Sequence, residues 1–190
     1  MQKYLTAGLI VVLVLLGGIV SAQDDDVIRQ WATSATASSE YASNEWSAMQ
    51  ATGEPDVVGC GDSRSAWASL EADGVETLTL YYDEPVQVRQ INIHINYNPG
   101  TITSVAILSP DGSPVEIPDS TYTDTTCPTV FSLVVDPDFA SDLYSNGVQI
   151  TIDQSEINNW TEIDAVEIIG MPLSDGASSG NSATDNTDTA

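Results

Sequence analysis

The chain has 190 residues and carries 28 acidic side chains against four Lys and Arg, so its formal net charge at pH 7 is −24. Such a charge repels nucleic acid and anionic lipid, which excludes nucleic-acid binding and docking on an anionic membrane surface. The length allows one domain with terminal appendages. We interpret most of the acids as surface charge that resists aggregation.

The first 22 residues are predicted to be an export signal. Lys3 precedes a nearly continuous apolar run over residues 5–20, and the small residues Ser21 and Ala22 follow it. A basic start, an apolar core and a small-residue cleavage site are typical of secretory signals. The run is slightly long for a signal core and slightly short for a membrane span, so an uncleaved N-terminal anchor is the alternative. Either outcome predicts a secreted or extracellular protein.

Residues 31–170 are predicted to form the folded domain, between an acidic lead-in at residues 23–30 and a disordered tail at residues 171–190. The tail is rich in Ser, Thr, Asn, Asp and Gly and cannot bury enough apolar surface to fold. In the domain, apolar residues alternate with polar ones in runs bounded by Gly, Pro, Asn and Asp, which indicates β-strands. The clearest alternating residues are Leu78, Leu80 and Tyr82, then Ile91, Ile93, Ile95 and Tyr97. Six or more such runs predict an all-β sandwich or jelly roll.

The chain has two cysteines, Cys60 and Cys127. An even number of cysteines in an exported chain favours a disulfide, and only one pairing is possible within the chain. Two free thiols, or a bond between two chains, are the alternatives.

Several motifs follow one another in a characteristic order along the domain. An Ala-rich segment "ATASSEY" comes first, then a loop with "TGEPD" and "SAW", and then the strand pair "YYDEPVQVRQINIH". The strand and turn "VAILSPDGSPVEI" and the closing segment "NNWTEIDAVEIIG" complete the order. This order resembles the galactose-binding-like superfamily, which includes discoidin domains and many bacterial carbohydrate-binding modules. The resemblance spans roughly residues 31–170 and implies a jelly-roll β-sandwich of about eight antiparallel strands.

The resemblance also implies a structural Ca²⁺, which in relatives lies beside the N-terminal loop and the last strand. Ca²⁺ takes six to eight oxygen ligands, which a turn-rich loop can supply. The family usually places its carboxylate nearer the position of Ala165, so the match is incomplete there. The alternative is that these acids cap turns or face water. The carboxylates at matching positions are Asp56 and Asp62 in the loop, and Glu162, Asp164 and Glu167 near the closing strand.

Catalysis is disfavoured by the residues the chain contains. His94 is the only histidine, it lies within a predicted strand, and no "GxSxG" nucleophile elbow occurs. Two cysteines and one histidine are too few for a typical structural zinc site. Carboxylate pairs are expected by chance in so acidic a chain, and they therefore do not indicate a pair of catalytic carboxylates.

Sugar binding needs an aromatic ring for the apolar face of the sugar and polar groups for its hydroxyls. Trp67 is assigned to the core instead, because the resemblance places a packing tryptophan there. Asn159-Trp160-Thr161 is an N-glycosylation sequon, which indicates a surface loop. The candidate aromatic rings are Tyr41, Trp46, Tyr97 and Trp160, and the candidate polar partners are Arg64, Asn92, His94, Asn96 and Asn98. For the Asn92–Asn96 strand face an ordinary solvated sheet face is the alternative, and for Arg64 an ion pair with Asp62 or Glu54.

The sequence therefore predicts a secreted or surface-tethered, non-catalytic module that recognises carbohydrate or another cell-surface polymer. The expected contact surface is the loop end formed by residues 44–66, 96–101 and 155–162. A structural or adhesion domain that binds protein is the main alternative, and an accessory domain of a lost or separate hydrolase is a third. A sugar-binding domain should show a Trp or Tyr ring lying flat and exposed beside an Arg or Asn, whereas an adhesion domain should bury its aromatic residues and lack a cleft.

Overall fold

The computed structural model describes residues 27–139 and 141–173 of the chain. The predicted export signal, the first residues of the lead-in and the tail beyond residue 173 lie outside this range. Within the described residues, no helix has the length and apolar character needed to cross a membrane.

Eight strands form the domain, and all their pairings are antiparallel, which confirms the predicted all-β class and strand number. A short 3₁₀ helix spans Ala48–Ala51. The strands are β1 (Ile28–Trp31), β2 (Ser34–Ala37), β3 (Val75–Tyr97), β4 (Ile102–Leu108), β5 (Pro114–Glu116), β6 (Thr129–Val134), β7 (Ser145–Asp153) and β8 (Glu162–Pro172).

Strand β3 is 23 residues long and takes part in both layers of the sandwich. Its first part, up to Tyr81, pairs with β2 and β7, and its second part, from Val86, pairs with β6 and β8. The register shifts between Tyr81 and Val86, where the strand crosses from one layer to the other. One layer therefore contains β2, β7, β4 and β5, and the other contains β6, β8 and β1, with β3 joining them.

The apolar residues of the alternating runs meet between the two layers. Leu78, Leu80, Ile91, Ile93 and Ile95 are all at most 1% exposed, as the period of two predicts. Burial of each such side chain stabilises the fold by about 1.5–3 kcal/mol.

Trp67 lies in the core, as predicted, and is fully buried. Its indole N–H donates to the Ser39 carbonyl at 3.1 Å, so burial leaves no polar atom of the ring unpaired. Its backbone exchanges hydrogen bonds with Ile163 at the start of β8. Trp67 thereby fixes the chain that follows the loop against the closing strand.

The sandwich begins earlier than the sequence predicts, because Ile28–Trp31 forms strand β1 rather than part of a lead-in. It pairs with β8, and the Arg29 guanidinium lies 3.0 Å from a Glu167 carboxylate oxygen. A strand of four residues is too short to show a clear alternation of apolar and polar residues. The sequence therefore does not predict β1 and β2. The last strand likewise runs to Pro172, past the predicted boundary at residue 170.

The predicted intrachain disulfide is confirmed: Cys60 and Cys127 are bonded, with their Cα atoms 5.3 Å apart. Cys60 belongs to a segment without regular secondary structure at residues 52–66, which we call the rim loop. Cys127 lies just before β6. The bond therefore fastens the rim loop to one end of the sandwich.

Candidate functional site

The rim loop is fastened to the sheet by polar side chains as well as by the disulfide. The Ser63 N–H donates to the Glu162 carboxylate at 2.8 Å, and the Gly61 N–H donates to the Asn96 carbonyl at 2.9 Å. The Asn96 side-chain amide donates to both the Gly61 carbonyl and the Glu162 carboxylate, each at 2.9 Å. An irregular segment must find partners for its backbone groups outside a ladder, and these buried side chains supply them.

Asp164 fastens the first part of the rim loop in the same way. Its two carboxylate oxygens accept from the N–H groups of Asp56 and Val57, each at 3.3 Å. Burial raises the pKa of Asp164, although these two hydrogen bonds lower it, and the Asp56 carboxylate raises it again. The carboxylate therefore serves as an acceptor for loop backbone.

A cavity of about 240 Å³ opens where the rim loop meets the end of β3 and the start of β8. It combines four aromatic rings with two carboxylates and an amide. The residues that line it are Tyr41, Trp46, Asp62, Ala68, Tyr97, Asn159, Trp160 and Glu162.

The Tyr41 ring contacts two of the other aromatic rings edge to face. The Tyr41 ring lies 5.3 Å from that of Trp46 and 5.6 Å from that of Trp160, in T-shaped contacts, and Tyr41 remains 49% exposed. The Trp46 indole N–H donates to Asp62 at 2.9 Å, and the Trp160 indole N–H donates to the Ser69 carbonyl at 3.0 Å. Because both N–H groups are used, these rings offer a ligand mainly their carbon surface.

Trp46 is held in a backbone conformation that tryptophan rarely adopts, with φ at 55°. Its N–H donates to the Arg64 carbonyl, and its own carbonyl accepts from the Ala68 N–H. Strained positions of this kind cost about 1–3 kcal/mol, and they cluster at functional sites. The strain supports a functional role for the Trp46 ring at the cavity.

Glu162 is 2% exposed and lies at the cavity beside Asp62. Burial raises its pKa from 4.5 to about 7, hydrogen bonds from Asn96 and Ser63 oppose the rise, and Asp62 adds to it. Both of these donors use Oε2 of Glu162. Near neutral pH this carboxyl group can therefore either accept or donate a hydrogen bond.

The predicted calcium ligands are brought together in pairs rather than in one cluster. Asp164 lies with Asp56, and Glu162 lies with Asp62, whereas Glu167 binds Arg29 at 3.0 Å and Asn92 at 2.7 Å on another part of the sheet. Among the described residues, no group of three or more acidic, His or Cys side chains could hold a metal ion. These residues do not by themselves fit a calcium ion, and calcium binding stays a prediction.

The polar face of β3 is covered rather than solvated. Asn92 is 7% exposed and Asn96 is 2% exposed, since the rim loop and β8 supply their partners. Oδ1 of Asn96 has no hydrogen-bond partner among the described residues. His94 is half-buried, and its ring lies edge to face against the Trp31 ring, with the two ring centres 5.4 Å apart. Burial lowers the pKa of His94, and the Glu167 carboxylate opposes this.

The structure therefore distributes the nine predicted sugar ligands over several places. Tyr41, Trp46, Tyr97 and Trp160 line the cavity, and Arg64 lies at its edge, 5.8 Å above the Trp46 ring. Arg64 pairs with Glu45 at 3.3 Å, and not with Asp62 or Glu54 as the alternative interpretation expects.

The four remaining predicted ligands do not line the cavity. Asn98 donates to the Trp160 carbonyl at 2.8 Å and so supports the cavity wall. Asn96 supports the rim loop, and Asn92 and His94 lie elsewhere on the sheet.

Sequence reasoning assigned Asp62 and Glu162 to a metal and did not consider Asn159 as a ligand. All three line the cavity. The antiparallel pairing of β3 with β8 places Glu162 opposite Tyr97. A correct prediction of that strand pairing would therefore bring Glu162 close to an aromatic residue of the site. Asp62 and Asn159 lie in loops, whose positions no strand register sets.

The eight-stranded antiparallel sandwich has the same fold as solved galactose-binding-like domains. Its structural neighbours include carbohydrate-binding modules. Chitosan-binding module 1 of a chitosanase/glucanase from Paenibacillus sp. IK-5 superposes with a TM-score of 0.53 at 15% identity, over 72% of this chain and 94% of that one. The family 32 module of C. perfringens NanJ, in complex with galactose, gives a TM-score of 0.52 at 18% identity, over 75% and 99%.

A fucolectin from the serum of striped bass, Morone saxatilis, gives a TM-score of 0.55 at 14% identity, over 74% of this chain and 49% of that chain. At sequence identities of 14–18%, the similarity to these three structures establishes the fold alone. None of the curated proteins is similar in sequence to this chain. The chain belongs to the family described as Pappalysin-1, SD scarf domain, C-terminal, whose model matches residues 21–179.

Proposed function

We propose that this chain is an exported, non-catalytic module that binds carbohydrate in the aromatic-lined cavity beside the rim loop. The main observation behind this proposal is the placement of Tyr41, Trp46, Tyr97 and Trp160 around one opening together with Asp62, Asn159 and Glu162.

The chemistry of the cavity suits a sugar ring. Pyranose rings have apolar C–H faces that pack on aromatic rings, and their hydroxyls need acceptors and donors around the edge. Carboxylates of Asp62 and Glu162 accept from hydroxyls, and the Asn159 amide can do both. The volume, about 240 Å³, is below the range of about 300–1,000 Å³ typical of drug-sized ligands, which suits one sugar unit or the end of a glycan.

The cavity favours sugar recognition over the adhesion alternative. A cleft with an exposed aromatic ring is expected of a sugar-binding domain rather than an adhesion domain. Tyr41 is exposed at the cavity, and the Arg64 guanidinium lies 5.8 Å from the neighbouring Trp46 ring. Chitosan-binding and galactose-bound modules among the structural neighbours support the same class of ligand.

The non-catalytic part of the proposal rests on the sequence, which has His94 as its only histidine and no nucleophile elbow; the His94 ring packs on Trp31. The Cys60–Cys127 disulfide supports export, because such bonds persist in oxidising compartments.

Glycan-array binding of the full-length chain tests the proposal. Trp160→Ala should abolish the array signal without unfolding the domain, because it removes one wall of the cavity. Tyr81→Ala is the matched control, since Tyr81 is an exposed aromatic residue on the first part of β3 and does not line the cavity. A blank array for the unmodified protein would favour the adhesion alternative.

A further inference from the structure

We propose that the cavity selects sugars with a free, protonated amino group, such as unacetylated hexosamine units, over their neutral N-acetylated forms. This inference rests on the proposed carbohydrate binding, and it names the class of sugar that the same cavity prefers.

Two carboxyl groups lie together at the cavity. Asp62 and Glu162 both line it, and they lie close enough for Asp62 to raise the pKa of Glu162. Two neighbouring carboxyl groups repel each other when both are ionised, and a bound ammonium group relieves that repulsion. A neutral hydroxyl or acetamide group cannot do this, so the pair favours a cation.

The cavity is also enclosed by aromatic rings, which attract cations. Four aromatic side chains line the same small cavity, and the indole N–H groups of Trp46 and Trp160 are already paired. Cations are attracted to the faces of aromatic rings, most strongly to tryptophan. The Arg64 guanidinium, 5.8 Å from the centre of the Trp46 ring, already uses this attraction at the cavity edge.

No competing cation comes from the described residues that line the cavity. Among the described residues that line the cavity there is no Lys, Arg or His. Arg64 lies at the edge, with its charge paired to Glu45 at 3.3 Å. An ammonium group on a sugar would therefore be the only positive charge facing Asp62 and Glu162 from inside the cavity.

Isothermal titration with two probes tests this inference: the tetramer of β-1,4-linked glucosamine and its fully N-acetylated counterpart. At about pH 6 most of the sugar amines are protonated, and Glu162 is mostly un-ionised because its pKa is about 7. Salt at about 0.15 M screens the general attraction between the acidic protein and a cationic ligand. The full-length protein is compared with Asp62→Asn, which keeps an acceptor for the Trp46 indole N–H.

We expect the unmodified protein to bind the glucosamine tetramer about tenfold more tightly than the acetylated one, as for a hydrogen bond to a charged group. Asp62→Asn should bring that ratio close to one. Glu116→Gln is the control, because it removes one exposed charge on β5, outside the cavity, and should keep the ratio.

If the unmodified protein bound the glucosamine tetramer no more tightly than the acetylated tetramer, the inference would be overturned, whereas carbohydrate binding itself would still be supported. An equal loss of preference in Asp62→Asn and Glu116→Gln would also overturn it, because the attraction would then come from net charge alone. If neither tetramer binds, the inference fails, and a blank glycan array would show that the proposed function fails with it.

Discussion

Replacing Glu162 with glutamine is expected to stabilise the domain at pH 8 and to change its stability little at pH 5. Burial holds the pKa of Glu162 at about 7 in the folded protein, against an ordinary value of 4.5. The folded state therefore disfavours the ionised form, and its stability falls as pH rises from the ordinary value through about 7. A shift of this size corresponds to about 3 kcal/mol, and solvent at the cavity mouth lowers the expected effect to about 2 kcal/mol.

Glutamine has the shape of the protonated acid and keeps an oxygen to accept from the Ser63 N–H and the Asn96 amide. Urea unfolding of both proteins at pH 5, 6, 7 and 8 measures the difference. Glu116→Gln, an exposed change of equal charge, serves as the control for the overall charge of the protein. If the free energies of unfolding of the unmodified protein and Glu162→Gln changed with pH in the same way, ionisation of Glu162 would not destabilise the fold. That result would refute the prediction.

Three further predictions concern the rim loop and the sheet. Replacing Cys60 and Cys127 together with Ser should lower the free energy of unfolding by about 4 kcal/mol, because the bond spans 67 residues; an unchanged urea midpoint would contradict this. Calcium should raise the melting temperature if the acidic residues of the rim loop bind it, and equal melting temperatures in Ca²⁺ and in EDTA would remove that prediction. Gly170→Ala should destabilise the fold by about 1–3 kcal/mol, since an added Cβ would lie 2.5 Å from the Gln87 carbonyl oxygen. Gly74→Ala, where an added Cβ meets no atom within 4 Å, should change the unfolding midpoint little, and equal effects of the two variants would count against the close approach of β8 and β3.

The alternation of apolar residues was enough to predict the sandwich, because long strands repeat the pattern often enough to be recognised. Leu78 and Leu80 on the first part of β3 and Ile91, Ile93 and Ile95 on the second all face the core as expected. Short strands gave no such signal, so β1 and β2 were not predicted.

The polar face of β3 shows the limit of pattern reasoning. Asn92 and Asn96 alternate with isoleucines, and that pattern is typical of a face open to water. In the structure the rim loop covers Asn96, because an irregular loop needs hydrogen-bonding side chains beneath it, and Asn92 donates to its cross-strand neighbour Glu167 on β8. The sequence pattern alone contains no information on which loop folds over which face.

The site was predicted in part for a similar reason. Aromatic residues in loops suggested Trp46 and Trp160 as ligands, and both line the cavity. Their joint placement with Asp62 depends on the path of the rim loop, and the left-handed backbone of Trp46 is a local strain that no residue preference indicates.

The most direct test of the proposed function follows the four tryptophan indole N–H signals by NMR while a glycan chosen from the array is added. Trp46 and Trp160 line the cavity, whereas Trp67 is buried in the core and Trp31 packs on His94. We predict that the Trp46 and Trp160 signals move in a saturable manner and that those of Trp31 and Trp67 stay in place. Movement confined to Trp31, or no movement at ligand saturation, would contradict binding in this cavity.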